Sequence, residues 1–257
     1  MTNIFFDQRG KGSPLIFLHG FPMHHGVWDA FGDRFKNSNT LITPDLPGFG
    51  KSPILPPGFS LAQVAEQLIQ FVQDQALNNC VLIGHSLGGY VALAMAEKKP
   101  DLFAGLGLFH STAYADSADK KQSRNKAIEF VNKNGAKAFA TNFITPLFSD
   151  PNHKAIEKVK KIAAESNESA VIGYTMAMRD RPDHTKTLKS FKKPTLFLVG
   201  DKDPGIPVES IHKQAAECQN PEIHVLSNVA HMAMFERPEE AAAKISIFLS
   251  KTDLFSN

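Results

Sequence analysis

Ser86, Asp203 and His231 are the residues whose types and settings could together do chemistry. Ser86 sits in Gly84-His85-Ser86-Leu87-Gly88-Gly89, directly after the apolar run Val81-Leu82-Ile83 and before a helical pattern from Tyr90 to Lys98. A strand that turns abruptly into a helix holds its middle residue at a strained corner with the side chain exposed. Gly84 and Gly88 suit that corner, because a Cβ at either position would crowd the turn. The corner also aims the free N–H groups of a helix N-terminus at the site, where they can hold an anion. A glycine-rich turn with a capping serine would read the same way in isolation, so the partners matter. A serine hydroxyl needs a base to take its proton, and an imidazole base needs an acid to fix its tautomer. Of ten histidines, His231 stands just past the last strand, in Val229-Ala230-His231-Met232-Ala233-Met234, whereas His224 lies inside that strand and reads as structural. The acid should follow the preceding strand, where Gly200-Asp201-Lys202-Asp203-Pro204-Gly205-Ile206-Pro207 stands, and Asp203 is the expected residue. Asp201 competes, although capping the turn explains it too. Asp116 is a weaker alternative that a helix cap explains equally well.

A tetrahedral intermediate needs two preorganised N–H donors, one from the residue after the nucleophile and one from an earlier strand–helix loop. These are the backbone N–H groups of Leu87 and Phe21, in His19-Gly20-Phe21-Pro22, since Pro22 has no N–H to offer. A simple turn is the other reading of that tetrapeptide.

The positioning elements follow from apolar rhythm. Ile4–Phe6 reads as a short strand before a turn at Arg9-Gly10-Lys11-Gly12. Pro14–Leu18 is apolar throughout, which suggests burial on both faces, and Thr40–Pro44 is the next strand. Trp28–Phe35 reads as a short amphipathic helix. Ser60-Leu61-Ala62-Gln63 is a capping box, with Phe59 and Val64 placed for a hydrophobic staple and Leu61, Val64, Ala65, Leu68 and Val72 on one helical face. Leu106–Phe109, Pro194–Val199 and Glu222–Leu226 are further strands, with helices expected at 208–217 and 238–249. Between them, residues 115–190 are lysine-rich and helical in pattern. Strand–helix alternation implies an α/β fold with a mostly parallel sheet and helices on both faces. Residues 1–114 and 191–257 form the core, and 115–190 an inserted helical cap over the strands' C-terminal ends, where such sheets place ligands.

Composition excludes little but helps. A chain of 257 residues with 42% hydrophobic and 21% charged residues can bury a full core, and a net charge of +2 gives no reason to expect nucleic acid or an anionic membrane as partner. No apolar run approaches the roughly 18 residues of a membrane helix. The first nine residues lack a signal peptide's basic start and apolar stretch, and Cys80 and Cys218 suggest no disulfide scaffold, so a cytoplasmic protein is expected. Asp45-Leu46-Pro47-Gly48-Phe49-Gly50-Lys51-Ser52 ends like a P-loop, but Asp45 occupies the first glycine's place, and Ser86 occupies a required glycine of the dinucleotide fingerprint. His24-His25 shows no acidic or cysteine partner nearby in sequence, so no metal is expected there.

The signatures His19-Gly20-Phe21-Pro22, Asp45–Ser52, Gly84–Gly89, Gly200-Asp201-Lys202-Asp203 and His231 before Glu236-Arg237-Pro238-Glu239 resemble those of the α/β-hydrolase superfamily along nearly the whole chain. The order serine, aspartate, histidine is the order that fold uses. Within it the chain looks like the small bacterial esterase and non-haem-haloperoxidase-like members; dehalogenases and epoxide hydrolases carry an aspartate nucleophile where Ser86 stands. The resemblance implies a serine hydrolase, a carboxylesterase working through an acyl-enzyme, with a small-molecule ester as substrate, no cofactor, and a monomer or homodimer. A C–C bond hydrolase, a lactonase or a perhydrolase would use the same triad, and a ligand-sensing receptor would use the same fold. Phe139, Phe143, Phe148, Met176 and Met178 in the cap are candidates for an acyl pocket, together with Met23 and Met232. Packing the cap against the core is their other use.

Overall fold

The apolar rhythm becomes one sheet with helices on either side, and the computed structural model describes residues 2–252. The chain opens with β1 (Phe6–Gly10), β2 (Ser13–Leu18), α1 (Asp29–Gly32), β3 (Asn39–Pro44) and α2 (Leu61–Asp74). The central unit is β4 (Cys80–His85) and α3 (Leu87–Lys98), followed by β5 (Phe103–Phe109). Then come α4 (Ala118–Ile144), α5 (Ile156–Ala164), α6 (Glu168–Arg179) and α7 (Thr185–Ser190), with no strand among them. The sheet resumes with β6 (Thr195–Gly200), α8 (Val208–Ala215), β7 (Pro221–Leu226), α9 (Ala233–Glu236) and α10 (Pro238–Thr252).

The seven strands lie in the order β1-β3-β2-β4-β5-β6-β7, and every pairing is parallel except β1 with β3. Alternation along the strands divides the core in two. Ile16, Leu18, Ile42, Leu82, Phe197 and Val199 lie on the side of α2, α3 and α8, whereas Leu15, Phe17, Leu41, Val81, Ile83 and Leu198 lie on the side of Trp28, Phe31 and α10. In α3 every residue from Leu87 to Ala96 is buried, as an all-round apolar helix must be.

Two local expectations shift. The first strand runs from Phe6 to Gly10, not Ile4 to Phe6, because the ladder with β3 carries Asp7-Gln8-Arg9 along the sheet edge, where no apolar side chain is required; Ile4 goes to the core instead. Trp28–Phe35 is not one helix but a 3-10 turn, His25–Trp28, followed by the single turn of α1. The apolar residues that suggested a helix are buried all the same, with Trp28 and Phe35 against the Phe17 ring.

The capping box at Ser60 forms as read, with both reciprocal bonds to Gln63. In the insertion, Gly135 breaks α4 at φ +82, a conformation costly for any residue with a Cβ. The break lets Ala136–Ile144 change direction and bring Phe139 and Phe143 against Phe21, with ring centroids 5.9 and 5.7 Å apart. Among the described residues no helix is long and apolar enough to cross a membrane.

Candidate active site

Ser86 occupies the corner between β4 and α3 with φ 51 and ψ −113, and its side chain caps no helix. A serine there is held against its preference by the surroundings. Its N–H donates to Phe109 O at 3.0 Å, and Ser111 Oγ donates to its carbonyl at 2.7 Å. A Cβ on Gly84 would meet the Gly88 backbone, and one on Gly88 would meet the Leu18 carbonyl, so the tight corner excludes side chains at both positions.

His231 follows β7 on a loop tied down from several sides. Its N–H donates to Leu147 O at 2.9 Å, and its carbonyl accepts His85 Nε2 at 2.9 Å. Glu236 Oε1 accepts the N–H groups of Ala230 and Met232 on either side of it, at 3.1 and 3.2 Å, while Oε2 accepts the N–H of Ser149 at 2.8 Å. The histidine loop is thereby braced to the inserted segment.

Asp203, the expected acid, meets His231: Nδ1 donates to Oδ2 at 2.7 Å. The sequence did not indicate that His110, one residue past β5 and at φ 50, also donates its Nδ1 to the same Oδ2, at 2.8 Å. Oδ1 accepts the N–H groups of Gly205 and Ile206 at 2.8 and 3.0 Å. Two bonds on each oxygen fill the acceptor sites of a carboxylate. Burial alone would raise this acid, but the charge of His231 and the hydrogen bonds from both imidazoles outweigh it and hold the carboxyl well below its usual range. Burial pushes His110 down despite Asp203, so it stays a neutral donor. His85 is pushed well below its ordinary value by burial and by the neighbouring His231 and His110.

The alternative acids do other work. Asp201 Oδ1 accepts the N–H of Asn228 at 2.7 Å, a turn-holding role. Asp116 neither reaches His231 nor caps a helix: Ser117 caps α4, and Asp116 binds Arg181 and Arg124 at 2.7 and 3.0 Å. Burial would raise Asp116, but the two arginines prevail and lower it. His224 bonds Glu222 within the sheet at 2.7 Å.

Ser86 and His231 open onto one cavity of about 380 Å³, walled by Phe21, Phe139, Phe143, Leu147 and Met178 and reached by Lys120 and Arg124 from α4. Among the described residues no hydrogen bond joins Ser86 Oγ to His231; such bonds commonly tighten only when substrate binds. The backbone N–H groups of Leu87 and Phe21 take no acceptor among the described residues. An arrangement of this kind can activate a hydroxyl and hold an oxyanion.

Three of the expected pocket residues lie elsewhere. Met23 and Met232 are buried in the core, 1% and 0% exposed, and Met176 is 39% exposed on the outer side of α6. Phe148 is also off the cavity, stacked on His153 at 5.2 Å. Helical spacing explains the exchange, since Thr175 and Met178 share the face that Met176 lacks.

Among the described residues, two groups each bring two histidines and an aspartate within 4.8 Å of one another, His110-Asp203-His231 and His24-His25-Asp45. The second corrects the reading of His24-His25, because folding supplies the acid that sequence proximity did not. His25 Nδ1 lies 2.7 Å from Asp45 Oδ1, as close as the imidazoles lie to Asp203, and shared protons account for these contacts.

Residues 15–244 match the model of the alpha/beta hydrolase family. The AB hydrolase superfamily protein YisY of Bacillus subtilis is 25% identical over 256 residues, 96% of this chain and 95% of that one. The pimeloyl-[acyl-carrier protein] methyl ester esterase of Wigglesworthia glossinidia brevipalpis is 26% identical over 264 residues, 98% and 99% of the two chains. Among solved structures, a thermophilic esterase from Thermogutta terrifontis with malate bound superimposes with a TM-score of 0.91 at 31% identity, covering 97% of this chain and 93% of that one.

Proposed function

The chain belongs to the alpha/beta hydrolase family, and from that premise we propose that it cleaves carboxylic esters through an acyl-enzyme. The observation that carries this reading is Ser86 at a positive-φ corner, opening onto the same cavity as a His231 whose Nδ1 is held by Asp203. Ser86 Oγ attacks the ester carbonyl carbon while His231 Nε2 takes its proton. The carbonyl oxygen becomes an oxyanion between the N–H groups of Leu87 and Phe21. Collapse breaks the bond to the alcohol, which leaves with the proton from His231. Water then repeats the sequence on the acyl-enzyme, releasing the acid and restoring Ser86. Asp203 stays ionised throughout, orienting the imidazole and stabilising its charged form. No step requires a cofactor or metal. The inserted helices act as a cap whose Phe139, Phe143 and Met178 receive the apolar part of the substrate. An esterase among the solved structures and a methyl ester esterase among the relatives support this chemistry.

The test is a hydrolysis screen over nitrophenyl esters of increasing acyl length, with lactones alongside, on the parent and Ser86→Ala. Ester turnover and labelling by a fluorophosphonate probe should vanish in the folded variant. Labelling that persists there would place the nucleophile elsewhere, and turnover of lactones alone would make the protein a lactonase.

A further inference from the structure

We propose that the cavity beside Ser86 is built for an ester that carries a second, free carboxylate, an inference that rests on the esterase reading and names its substrate class. The cavity wall contains two cations, Lys120 and Arg124, and no carboxylate. They stand four apart on α4, so they share one face, and Ser123 and Ala127 line the cavity with them.

Among the described residues neither cation has a carboxylate to itself. Asp116 is the one acid that Arg124 pairs with among the described residues, and it is fully buried and also paired with Arg181, whose Nη1 donates to Oδ1 at 2.7 Å. Arg181 has a side chain 2% exposed, gives further hydrogen bonds to the carbonyls of Met178 and Tyr114, and lies 3.9 Å over the Tyr90 ring. Asp116 is thus shared by two arginines, one on each carboxylate oxygen. Arg124 touches the same acid only through Nε, at 3.0 Å, and its two terminal amino groups have no acceptor among the described residues. One carboxylate between two guanidiniums leaves one positive charge over, and of the two arginines only Arg124 lines the cavity. Lys120 bonds the carbonyl of Gly205 at 2.9 Å, an uncharged acceptor.

Beside aromatic and aliphatic walls the local dielectric is lower than in bulk water, which strengthens attraction to an anion. A guanidinium with its terminal donors free matches a carboxylate in geometry as well as charge. A neutral ester would fill the same space and leave the surplus positive charge without a counter-ion.

The experiment compares matched esters that differ in that charge: monomethyl against dimethyl glutarate for the acyl side, and para-acetoxybenzoate against para-acetoxybenzamide for the alcohol side. In at least one pair kcat/KM should favour the anion by about tenfold, the scale of one hydrogen bond to a charged group. That ratio should collapse in Arg124→Gln, shrink in Lys120→Met and weaken in high salt. Calorimetry on Ser86→Ala gives the same comparison without turnover, and monomethyl glutarate should bind more tightly than the dimethyl ester. Ser86-dependent hydrolysis of neutral esters with no anion preference in either pair, or in calorimetry, overturns this inference and leaves the esterase reading standing. A preference that survives in the Arg124→Gln, Lys120→Met double variant overturns the assignment to these residues. Tighter binding of the anion to Ser86→Ala, with no ester turned over by the parent, supports the anion site and overturns the esterase reading.

Discussion

His110 and His231 place their Nδ1 atoms on one carboxylate oxygen, Asp203 Oδ2, at 2.8 and 2.7 Å. His110 is fully buried and has no other side-chain partner, since its Nε2 is unbonded. Under the proposed mechanism it is a positioning residue, sharing the acid with the base. His110→Ala should lower kcat/KM about tenfold, the scale of one hydrogen bond to a charged group. It should do so through kcat with KM little changed, because the imidazole of His231 is then oriented by an acid held by one donor fewer. His110→Asn keeps a donor near the same place and tolerates the positive φ, so it should restore kcat in part. A parental kcat in His110→Ala would reduce the contact to packing.

Asp203→Asn should cost far more than Asp201→Asn. Losing the acid leaves the imidazole in the wrong tautomer, and the comparable change in a serine protease costs about 10⁴ in kcat. Asp201 bonds only the turn at Asn228, so its variant should keep kcat and lose some thermal stability. Steady-state kinetics on both proteins checks the ranking, and the reverse order would remove Asp203 from the triad.

Phe143→Ala and Met176→Ala should separate cavity wall from surface. Phe143 packs on Phe139 at 5.2 Å and on Phe21 at the mouth of the site, whereas Met176 faces outward. An apolar pocket discriminates by about 1–3 kcal/mol per methylene. Phe143→Ala should therefore shift the preferred acyl length upward and raise KM for short esters more than it lowers kcat. Met176→Ala should leave the profile across acyl lengths as it is; a change there as large as that of Phe143→Ala would return Met176 to the pocket.

Acid should destabilise the fold through buried imidazoles. His19 accepts the N–H of Leu46 at Nε2, 2.9 Å away, and burial pushes it down to about 4 even with Asp45 nearby. Its value in the unfolded chain is near 6.5. The unfolded chain therefore binds more protons between those limits, so stability is full above about pH 6.5 and falls as pH drops through the window toward 4. The full window is worth roughly 3 kcal/mol at about 1.4 kcal/mol per unit. His85 and His110, also lowered by burial, act in the same direction. The urea midpoint, followed across that window, should fall less steeply in His19→Gln than in the parent. Parallel slopes would assign the acid sensitivity to other groups.

By itself the sequence determined what local chemistry dictates. The Ser86 corner follows from an apolar run and glycines within a few residues, and the capping box at Ser60 needs only its own turn. The mostly parallel sheet follows from strand–helix alternation, and the place of Asp203 and His231 after successive strands follows from the order of the sheet. Only the tertiary structure decided which side chains share a space. His110 and Asp203 are 93 positions apart, and nothing in either neighbourhood marks the other. Asp116 reads as a helix cap until Arg181, 65 positions on, reaches it. Apolar periodicity reports that a residue is buried but not against what, which is why Met23 and Met232 went to the core while Met178 took the cavity. The surplus charge beside the cavity depends on Arg124 and Arg181 sharing one buried acid, and only the folded chain brings the three together.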